Sequence, residues 1–215
     1  MSTRLEPRLA EQDKPLSRSQ RRRRQDILDA SLLIFDRDGF DAAKMSDIAE
    51  AAEVAKGTLY LYFDSKAALL EGVIQSTIIP TLQAADDTAQ NHEGSATELL
   101  SMQLKIMADR MASPEMQILL RYMMSGRTEQ HERIVQFYFK NVIQPGLKVL
   151  SKTIRQGAKT GEFRKEAARI DPLVLLGAQI YTTVWKTLFE ATSPINTDDL
   201  NKDLMKVILA GLSKP

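Results

Sequence analysis

The sequence predicts an all-α fold, with about nine or ten helices arranged as a small N-terminal domain and a larger C-terminal one. Apolar residues recur at helical spacing along most of the chain. Helix start signals, such as Ser113-Pro114-Glu115 and Asp171-Pro172, divide this pattern into separate helices. The chain has 215 residues and a hydrophobic content of 43%, which is enough to give each domain its own core.

The first predicted helix runs from about Gln25 to a left-handed C-terminal cap at Gly39, after which Phe40 folds back toward the core. Its inward residues are Ile27, Ser31, Ile34 and Phe35. These positions recur at three- and four-residue intervals, so they share one face of the helix.

Residues 44–63 predict a helix-turn-helix, in which the second helix runs from about Lys56 to Phe63. The inner faces would be formed by Ile48, Ala49, Ala52, Val54, Leu59 and Tyr62. Residue types that reach phosphates and base edges lie on the outward side of the second helix, namely Lys56, Thr58, Tyr60 and Tyr62. Taken alone, this pattern also fits two ordinary packed helices, so DNA binding and plain packing both remain open at this point.

The flanking residues favour DNA binding, because a predicted helix precedes the motif and Asp64-Ser65-Lys66 caps another one after it. Over residues from about 20 to 72, the chain closely resembles the tetracycline-repressor (TetR) family of one-component transcriptional regulators. The matching positions are Ile27, Phe35, Gly39-Phe40, Met45, Asp47-Ile48-Ala49, Lys56-Gly57-Thr58-Leu59-Tyr60, Tyr62-Phe63 and Lys66-Ala67-Ala68-Leu69. The resemblance implies a three-helix DNA-binding domain followed by a helical ligand-binding and dimerisation domain.

The resemblance and the charge pattern together give a set of expected DNA contacts. They are Arg21, Arg22, Arg24, Lys44, Ser46, Lys56, Gly57, Thr58, Tyr60, Tyr62 and Lys66. Residues 1–24 contain eight basic and three acidic residues. We expect residues 1–17 to form a disordered basic tail, residues 18–66 the DNA-binding domain and residues 67–215 the ligand-binding and dimerisation domain.

Three positions depart from the family pattern. Glu53 stands in the turn where a glycine is common, and a left-handed conformation there would cost about 1–2 kcal/mol. Ala55 stands where a serine often caps the second helix, and the absence of that serine cap costs about 1 kcal/mol. Ala43-Lys44 replaces a hydroxyl cap on the first helix of the motif, so Lys44 would approach DNA by charge alone.

The C-terminal domain is predicted to contain only helices. Pro80 should kink or interrupt the fourth helix, which ends near Gln90, and the following helices span about 96–112 and 114–125. The segment from Thr128 to Gly161 is either one helix kinked at Pro145-Gly146 or two helices. The last two helices start at Asp171-Pro172 and Thr197, and end near residues 191 and 211.

Two interaction surfaces are expected in this domain. Its last two helices carry more apolar residues than they need to pack together, and the resemblance implies a homodimer through Leu173, Gly177, Ile180, Val184, Leu188, Leu204, Val207 and Ile208. Flexible and aromatic side chains suit an adaptable pocket for an unknown small molecule, and the candidates are Met107, Met111, Met124, Phe137, Tyr138, Tyr181 and Trp185. Arg121 is a further candidate, because its sequence neighbours are apolar and its charge could pair an acidic ligand or an internal carboxylate. The same residue types also form ordinary helical cores.

Other functional classes fit the sequence less well. The sequence argues against an all-helical enzyme, a metal site or a bound cofactor. It has two histidines that are 39 positions apart and no cysteine, and it contains neither a phosphate-binding loop nor a nucleophile elbow. An architectural DNA-binding protein without an effector remains an alternative. The polar, basic N-terminus lacks a secretory signal and no segment is long enough to span a membrane, so we expect a cytoplasmic protein. The sequence therefore predicts a ligand-responsive repressor that binds a palindromic double-stranded operator as a homodimer.

Overall fold

The computed structural model describes residues 16–126 and 128–213. This part of the chain forms nine continuous helices and no β-strand, apart from one isolated bridge between Phe163 and Ser213. The all-α prediction is therefore confirmed. The chain divides into two compact units, and the boundary lies between Lys66 and Ala67. The predicted disordered tail, residues 1–17, lies almost entirely outside the described residues.

The N-terminal unit contains helices α1 (Arg18–Asp38), α2 (Met45–Ala51) and α3 (Lys56–Tyr62). Helix α1 begins earlier than the predicted start at Gln25, because Ser17 and Gln20 form a capping box. The Ser17 hydroxyl accepts from the Gln20 backbone N–H, and the Gln20 side chain accepts from the Ser17 backbone N–H at 2.8 Å. The arginine run therefore lies within the first two turns of α1.

The C-terminus of α1 differs from the predicted left-handed cap. The Gly39 N–H donates to the Phe35 carbonyl at 3.0 Å, and Gly39 has φ +77° and ψ 160°. This ψ is extended rather than left-handed helical, in a region that is accessible almost only to glycine. The turn returns Phe40 to the core, where its ring centroid lies 5.1 Å from that of Phe35.

The helix-turn-helix packs around a small apolar core. Its fully buried members include Ile27, Phe35, Ile48 and Leu59. The turn between α2 and α3 contains Glu53 at φ +53°, the one non-glycine residue with positive φ in the described part of the chain. Ala55 precedes α3 without any side-chain cap. Glu53 is therefore held in the left-handed region considered for this turn, and the first turn of α3 lacks a side-chain cap.

The described part of the C-terminal unit is built from six helices, the first of which, α4, begins at Lys66, the last residue of the N-terminal unit. Helix α4 comprises Lys66–Val73, a π-helical turn at Ile74–Ile78, and Ile79–Gln90. Helix α5 is Ala96–Met111 and α6 is Pro114–Met124. Helix α7 comprises Glu129–Tyr138, a π-helical turn at Phe139–Ile143, and Gln144–Thr160. Helices α8 and α9 are Leu173–Phe189 and Thr197–Leu212.

Neither proline breaks its helix, so Pro80 does not interrupt the fourth helix, and of the two alternatives at Pro145 the structure has one helix rather than two. The backbone stays helical through both positions, and a five-residue π-helical turn ends two residues before each proline. A proline cannot donate the backbone hydrogen bond that an α-helix needs at its position, and a π turn accommodates this loss by changing the local pairing.

The core of this unit joins the end of α7 to the start of α5. Gly161 ends α7 with a left-handed φ of +86°, and a short 3₁₀-helix at Lys165–Arg169, which sequence analysis missed, follows. Phe163 is almost completely buried against Gly157 and Ala96. The Glu162 carboxylate accepts from the backbone N–H groups of Ala96 and Thr97 at 3.0 and 3.1 Å, so it caps α5 from a distant part of the chain.

Candidate nucleic-acid interface and apolar cavity

The outward side of α3 combines a charge, an open backbone and an aromatic ring. Lys56, Gly57 and Tyr60 are exposed, whereas Thr58 and Tyr62 are half-buried and Leu59 is inaccessible to solvent. Helical periodicity causes this division, because Tyr60 lies four residues after Lys56 and three after Gly57 and therefore shares their side of the helix. The arrangement suits contact with a phosphate through Lys56 and with groove edges through Tyr60.

Leu61 is a further exposed residue of α3 that sequence reasoning missed. Its side chain is 80% exposed and lies next to Tyr60 in the sequence. An apolar side chain on this surface suits contact with a thymine methyl group. The signal was available, since Leu61 falls outside the apolar positions that the motif needs for packing.

The start of α2 adds a second polar group of residues beside the turn. Lys44 occupies the N-cap position with extended backbone and no side-chain cap, and its side chain is exposed. Ser46 is also exposed, and its hydroxyl donates to the Asp47 carboxylate at 2.9 Å. Lys44 therefore presents its charge to solvent, as a contact to a phosphate requires.

The arginine run is divided between solvent and the core of the N-terminal unit. Arg21 and Arg22 are exposed, and the Arg21 guanidinium donates to the Leu16 carbonyl. Arg24 instead lies over the Phe63 ring, with its guanidinium carbon 5.2 Å from the ring centroid, and burial lowers the pKa of Arg24. Arg24 thus contributes a cation–π contact within the unit.

Lys66 also has an internal role. Its ammonium group donates to the carbonyls of Phe40 and Asp41, and it lies 4.9 Å from the centroid of the Phe40 ring. Burial lowers the pKa of Lys66, with the charge of Asp41 acting in the opposite direction. These contacts fix the loop after α1 within the N-terminal unit.

The C-terminal unit contains an apolar cavity between α4, α5, α6, α7 and α8. About 60 Å³ of it is open to the centres of water molecules. Three predicted ligand contacts line it, namely Met107, Met111 and Tyr138. The remaining lining residues are Ile78, Thr81, Leu82, Ile106, Arg110, Met116, Val142, Ile143, Gly146 and Leu176.

Five predicted ligand contacts do not line this cavity: Arg121, Met124, Phe137, Tyr181 and Trp185. Arg121 and Met124 are exposed on α6. Trp185 lies between Tyr181 and Phe189 on α8, in tilted ring contacts with centroids 6.0 and 5.0 Å apart. Its indole N–H donates to the Ser193 carbonyl at 2.8 Å. Contacts between helices decide which side of each helix faces the cavity, and a single helix does not reveal them.

Sequence reasoning missed the one charged residue of the cavity wall. The Arg110 guanidinium donates through one terminal nitrogen to the Thr77 carbonyl at 3.2 Å and to the Thr81 hydroxyl. Its Nε is buried without a partner. A signal was present, because Arg110 lies one turn after Ile106 and Met107 on the apolar side of α5.

The two C-terminal helices present an exposed apolar face. Among its residues, Leu173, Tyr181, Leu188 and Val207 have large exposed fractions, up to 69% for Val207. Of the other predicted dimer contacts, Gly177 is exposed, while Ile180, Val184, Leu204 and Ile208 are half-buried. This surface is more apolar than a helix pair facing only water normally is.

Within residues 16–126 and 128–213, no helix has the length and apolar character needed to cross a membrane. In the same part of the chain, no three histidine, aspartate or glutamate side chains are placed to hold a metal ion together.

Comparison with known proteins matches residues 27–73 to the model for bacterial regulatory proteins of the tetR family. The chain is 54% identical over 54 residues to the HTH-type transcriptional repressor KstR of Mycolicibacterium smegmatis, a match that covers 25% of this chain and 26% of KstR. It is 24% identical over 207 residues to KstR2 of Rhodococcus jostii, covering 90% and 92% of the two chains. The chain therefore spans about a quarter of the length of KstR, the curated relative that it matches at the highest of these identities.

Solved structures share the fold over most of their length. The fatty acid degradation regulator FadR from Bacillus halodurans has a TM-score of 0.69 at 21% identity, covering 87% of this chain and 98% of FadR. A transcriptional regulator from Saccharomonospora viridis, solved in complex with choline, has a TM-score of 0.74 at 16% identity, covering 91% and 100%. Residues 27–73 therefore match the tetR family of bacterial regulatory proteins, and the solved structures show that most of the chain shares their fold.

Proposed function

We propose that the protein is a transcriptional repressor that binds a palindromic DNA operator as a homodimer and is released by a small molecule. The observation that carries the proposal is the surface of α3, where Lys56, Gly57 and Tyr60 are exposed while Leu59 anchors the helix in the core. A short helix with this division inserts its outer side into a major groove. The named repressor KstR matches this part of the chain.

The DNA contacts that we propose are narrower than the set predicted from sequence. Lys56, Gly57, Thr58, Tyr60 and Tyr62 belong to α3, and the flanking positions Arg21, Arg22, Lys44 and Ser46 supply the phosphate contacts. Arg24 and Lys66 support the domain from within instead. Leu61 joins the base-contacting group because of its exposure.

The proposed homodimer uses the apolar face of α8 and α9. Covering exposed side chains such as Leu173 and Val207 removes apolar area from water, which favours association at about 25 cal/mol per Å². Two copies related by a two-fold axis would place their α3 helices in successive major grooves, about 34–36 Å apart. Ligand binding in the cavity would favour a dimer geometry that no longer fits both half-sites.

The proposed role of the cavity is supported by its lining, which consists mostly of apolar side chains with a few polar groups. Among fold relatives, a FadR structure from Bacillus subtilis is in complex with stearoyl-CoA and a SmeT structure is a complex with triclosan. An architectural DNA-binding protein, the second candidate, would need no such cavity. The family points to a regulator rather than an enzyme.

Operator binding by variants of α3 tests the DNA-binding proposal. Duplexes selected from a randomised pool by the wild-type protein serve as the DNA. Lys56→Ala should weaken binding about tenfold and reduce the slope of log affinity against log salt by about one, because one phosphate contact is lost. Tyr60→Ala should weaken binding with less change in the salt slope. Lys152→Ala, which removes an exposed lysine of α7, is the matched control and should leave affinity unchanged.

Wild-type affinity in both α3 variants would refute the site. The dimer is tested separately by sedimentation: Val207→Asp should produce monomers, since it places a charge within the proposed interface. Leu33→Asp, at an exposed apolar position of α1, is the matched control and should remain dimeric. A Val207→Asp variant that remains dimeric would exclude this face as the interface.

A further inference from the structure

The cavity contains a cation that the surrounding protein satisfies only in part. Arg110 carries five N–H donors. One terminal nitrogen donates to the Thr77 carbonyl and the Thr81 hydroxyl, and the buried Nε has no acceptor. Among the described residues, no carboxylate forms an ion pair with Arg110. A buried donor without an acceptor costs free energy, and this donor belongs to a cation, so the cavity favours a guest with a negatively charged acceptor.

A second donor lies in the same cavity. The buried Tyr138 hydroxyl donates to the Met116 sulfur at 3.4 Å, and a thioether is a weak acceptor. Burial raises the pKa of Tyr138 to about 12, with the nearby Arg110 charge acting in the opposite direction. The hydroxyl therefore stays protonated near neutral pH and is available to donate to a better acceptor.

The rest of the wall is apolar and adaptable. Ile78, Leu82, Val142 and Leu176 supply fixed aliphatic surface. Methionines at three further positions have flexible, polarisable side chains that adjust to the shape of a guest. With one water occupying about 10–15 Å³ by this measure, the open space holds about four to six waters. A short aliphatic chain therefore fits once the methionines adjust.

We propose that the effector is an apolar carboxylic acid, whose carboxylate accepts hydrogen bonds from Arg110 and Tyr138 while its chain lies among the aliphatic residues of the cavity. This inference rests on the proposed function, because it names the chemical class of the small molecule. A planar carboxylate matches the forked guanidinium and offers four acceptor sites. It would also compete with the Thr77 carbonyl, so the acid acts on the contact between α5 and the π-helical turn of α4.

A charge series with one chain length tests this chemistry in the absence of DNA. Titration calorimetry compares octanoate, octan-1-ol and octylamine as probes against the full-length protein. Octanoate should bind about ten- to hundredfold more tightly than octanol, because hydrogen bonds to a charged group are involved. Octylamine should bind most weakly, since it brings a second cation beside Arg110.

Variants of Arg110 and Tyr138 test whether these two donors cause the preference for octanoate over octanol. Arg110→Met should abolish the preference for octanoate over octanol, and Tyr138→Phe, which removes only the hydroxyl, should reduce it. Lys105→Met is the matched control, because it removes an exposed cation from the same helix, and it should keep the full preference. If Arg110→Met fails to fold, Tyr138→Phe and the probe series still test the proposal.

Equal affinities of octanoate and octanol for the wild type would overturn the proposal, as would no binding of octanoate at millimolar concentrations. A wild-type preference that persists in Arg110→Met would also overturn it. Octanoyl-CoA replaces the carboxylate by a thioester and carries its charge on distant phosphates, so tighter binding of octanoyl-CoA than of octanoate would reject a free acid as the effector. Operator binding is measured separately, so failure here with an intact DNA-binding site refutes only the ligand class.

Discussion

The turn between α2 and α3 predicts that Glu53→Gly stabilises the N-terminal unit. Glu53 is held at φ +53°, where the Cβ of an L-residue approaches the following carbonyl. Glycine has no Cβ and reaches this conformation freely. The substitution therefore removes local strain without altering the buried residues on either side of the turn.

The expected magnitude follows from two opposing effects. Relief of a left-handed conformation contributes about 1–2 kcal/mol. The greater freedom of glycine in the unfolded chain offsets about 0.5–1 kcal/mol, which leaves a net gain of about 0.5–1 kcal/mol. Ala55→Ser acts on the same turn by a different route, because a serine hydroxyl can accept from a free amide of the first turn of α3, for about 1 kcal/mol.

The chain offers a way to assign the change to one unit. Its single tryptophan, Trp185, lies in the C-terminal unit, so tryptophan fluorescence in urea follows that unit, while far-ultraviolet circular dichroism follows the helices of both. Glu53→Gly should raise the urea midpoint of the N-terminal unit, which is the unfolding step seen by circular dichroism but not by tryptophan fluorescence. The fluorescence midpoint should stay at its wild-type value.

Glu53→Ala provides the control, since alanine keeps the Cβ and should give no comparable gain. An unchanged or lowered midpoint for Glu53→Gly would refute the reasoning, because it would mean that the positive φ carries no net cost. A gain of the same size for Glu53→Ala would assign the effect to the loss of the carboxylate instead.

Three further predictions concern the C-terminal unit. Gly157→Ala should lower the free energy of unfolding by about 1–3 kcal/mol in urea titrations, because the added Cβ would lie 2.3 Å from the buried Phe163 ring. Gly146→Ala is the control and should cause no such loss, since its Cβ would lie 3.9 Å from the nearest atom. Equal stabilities of the two variants would contradict this prediction. Gln103→Leu should raise the urea midpoint by the equivalent of about 1–3 kcal/mol, since both polar atoms of this buried amide lack partners, and a loss of stability would show that the amide is satisfied. Hydrogen bonds, first from Ala96 and also from Thr97, hold the pKa of Glu162 below its ordinary 4.5. The ionised Glu162 carboxylate therefore stabilises the fold above pH 4.5, and this contribution is lost as the pH falls through the lowered pKa. Glu162→Gln should flatten this acidic part of the plot of unfolding free energy against pH, and an unchanged plot would exclude the cap.

Local chemical signals explain which helix ends were predictable. Helices begin at Pro114 and Thr197 as expected, because the capping side chains of Ser113 and Asn196 lie within three residues of the amides that they satisfy. The start of α1 was missed since Ser17 and Gln20 form the same kind of cap but lie within a basic segment that resembles a disordered tail. The Glu162 cap on α5 comes from 66 residues away, so no local pattern contains it.

The cavity depends on contacts between helices, which limits what sequence can predict. Met107 and Met111 were predictable as flexible apolar residues, and both line the cavity. Arg121 was a candidate because its sequence neighbours are apolar, yet it is exposed on α6. Arg110 was missed, although it lies on the apolar side of its helix. Position relative to the helical period is therefore a better guide to a buried cation than the character of adjacent residues.

The two prolines show how a helix can continue through a residue that disrupts α-helical pairing. A proline clashes with the carbonyl four residues earlier, which belongs to Ser76 for Pro80 and to Asn141 for Pro145. Each of these residues lies in a π-helical turn that begins six residues before its proline.

Such a π-helical turn inserts one residue, so the side chains that follow are rotated by about 100° relative to a continuous α-helix. Ile78 and Ile143, which end the two turns, and the nearby Leu82 and Gly146 all line the cavity. The prolines thus leave both helices unbroken and, through the π turns, set which side chains form the cavity wall.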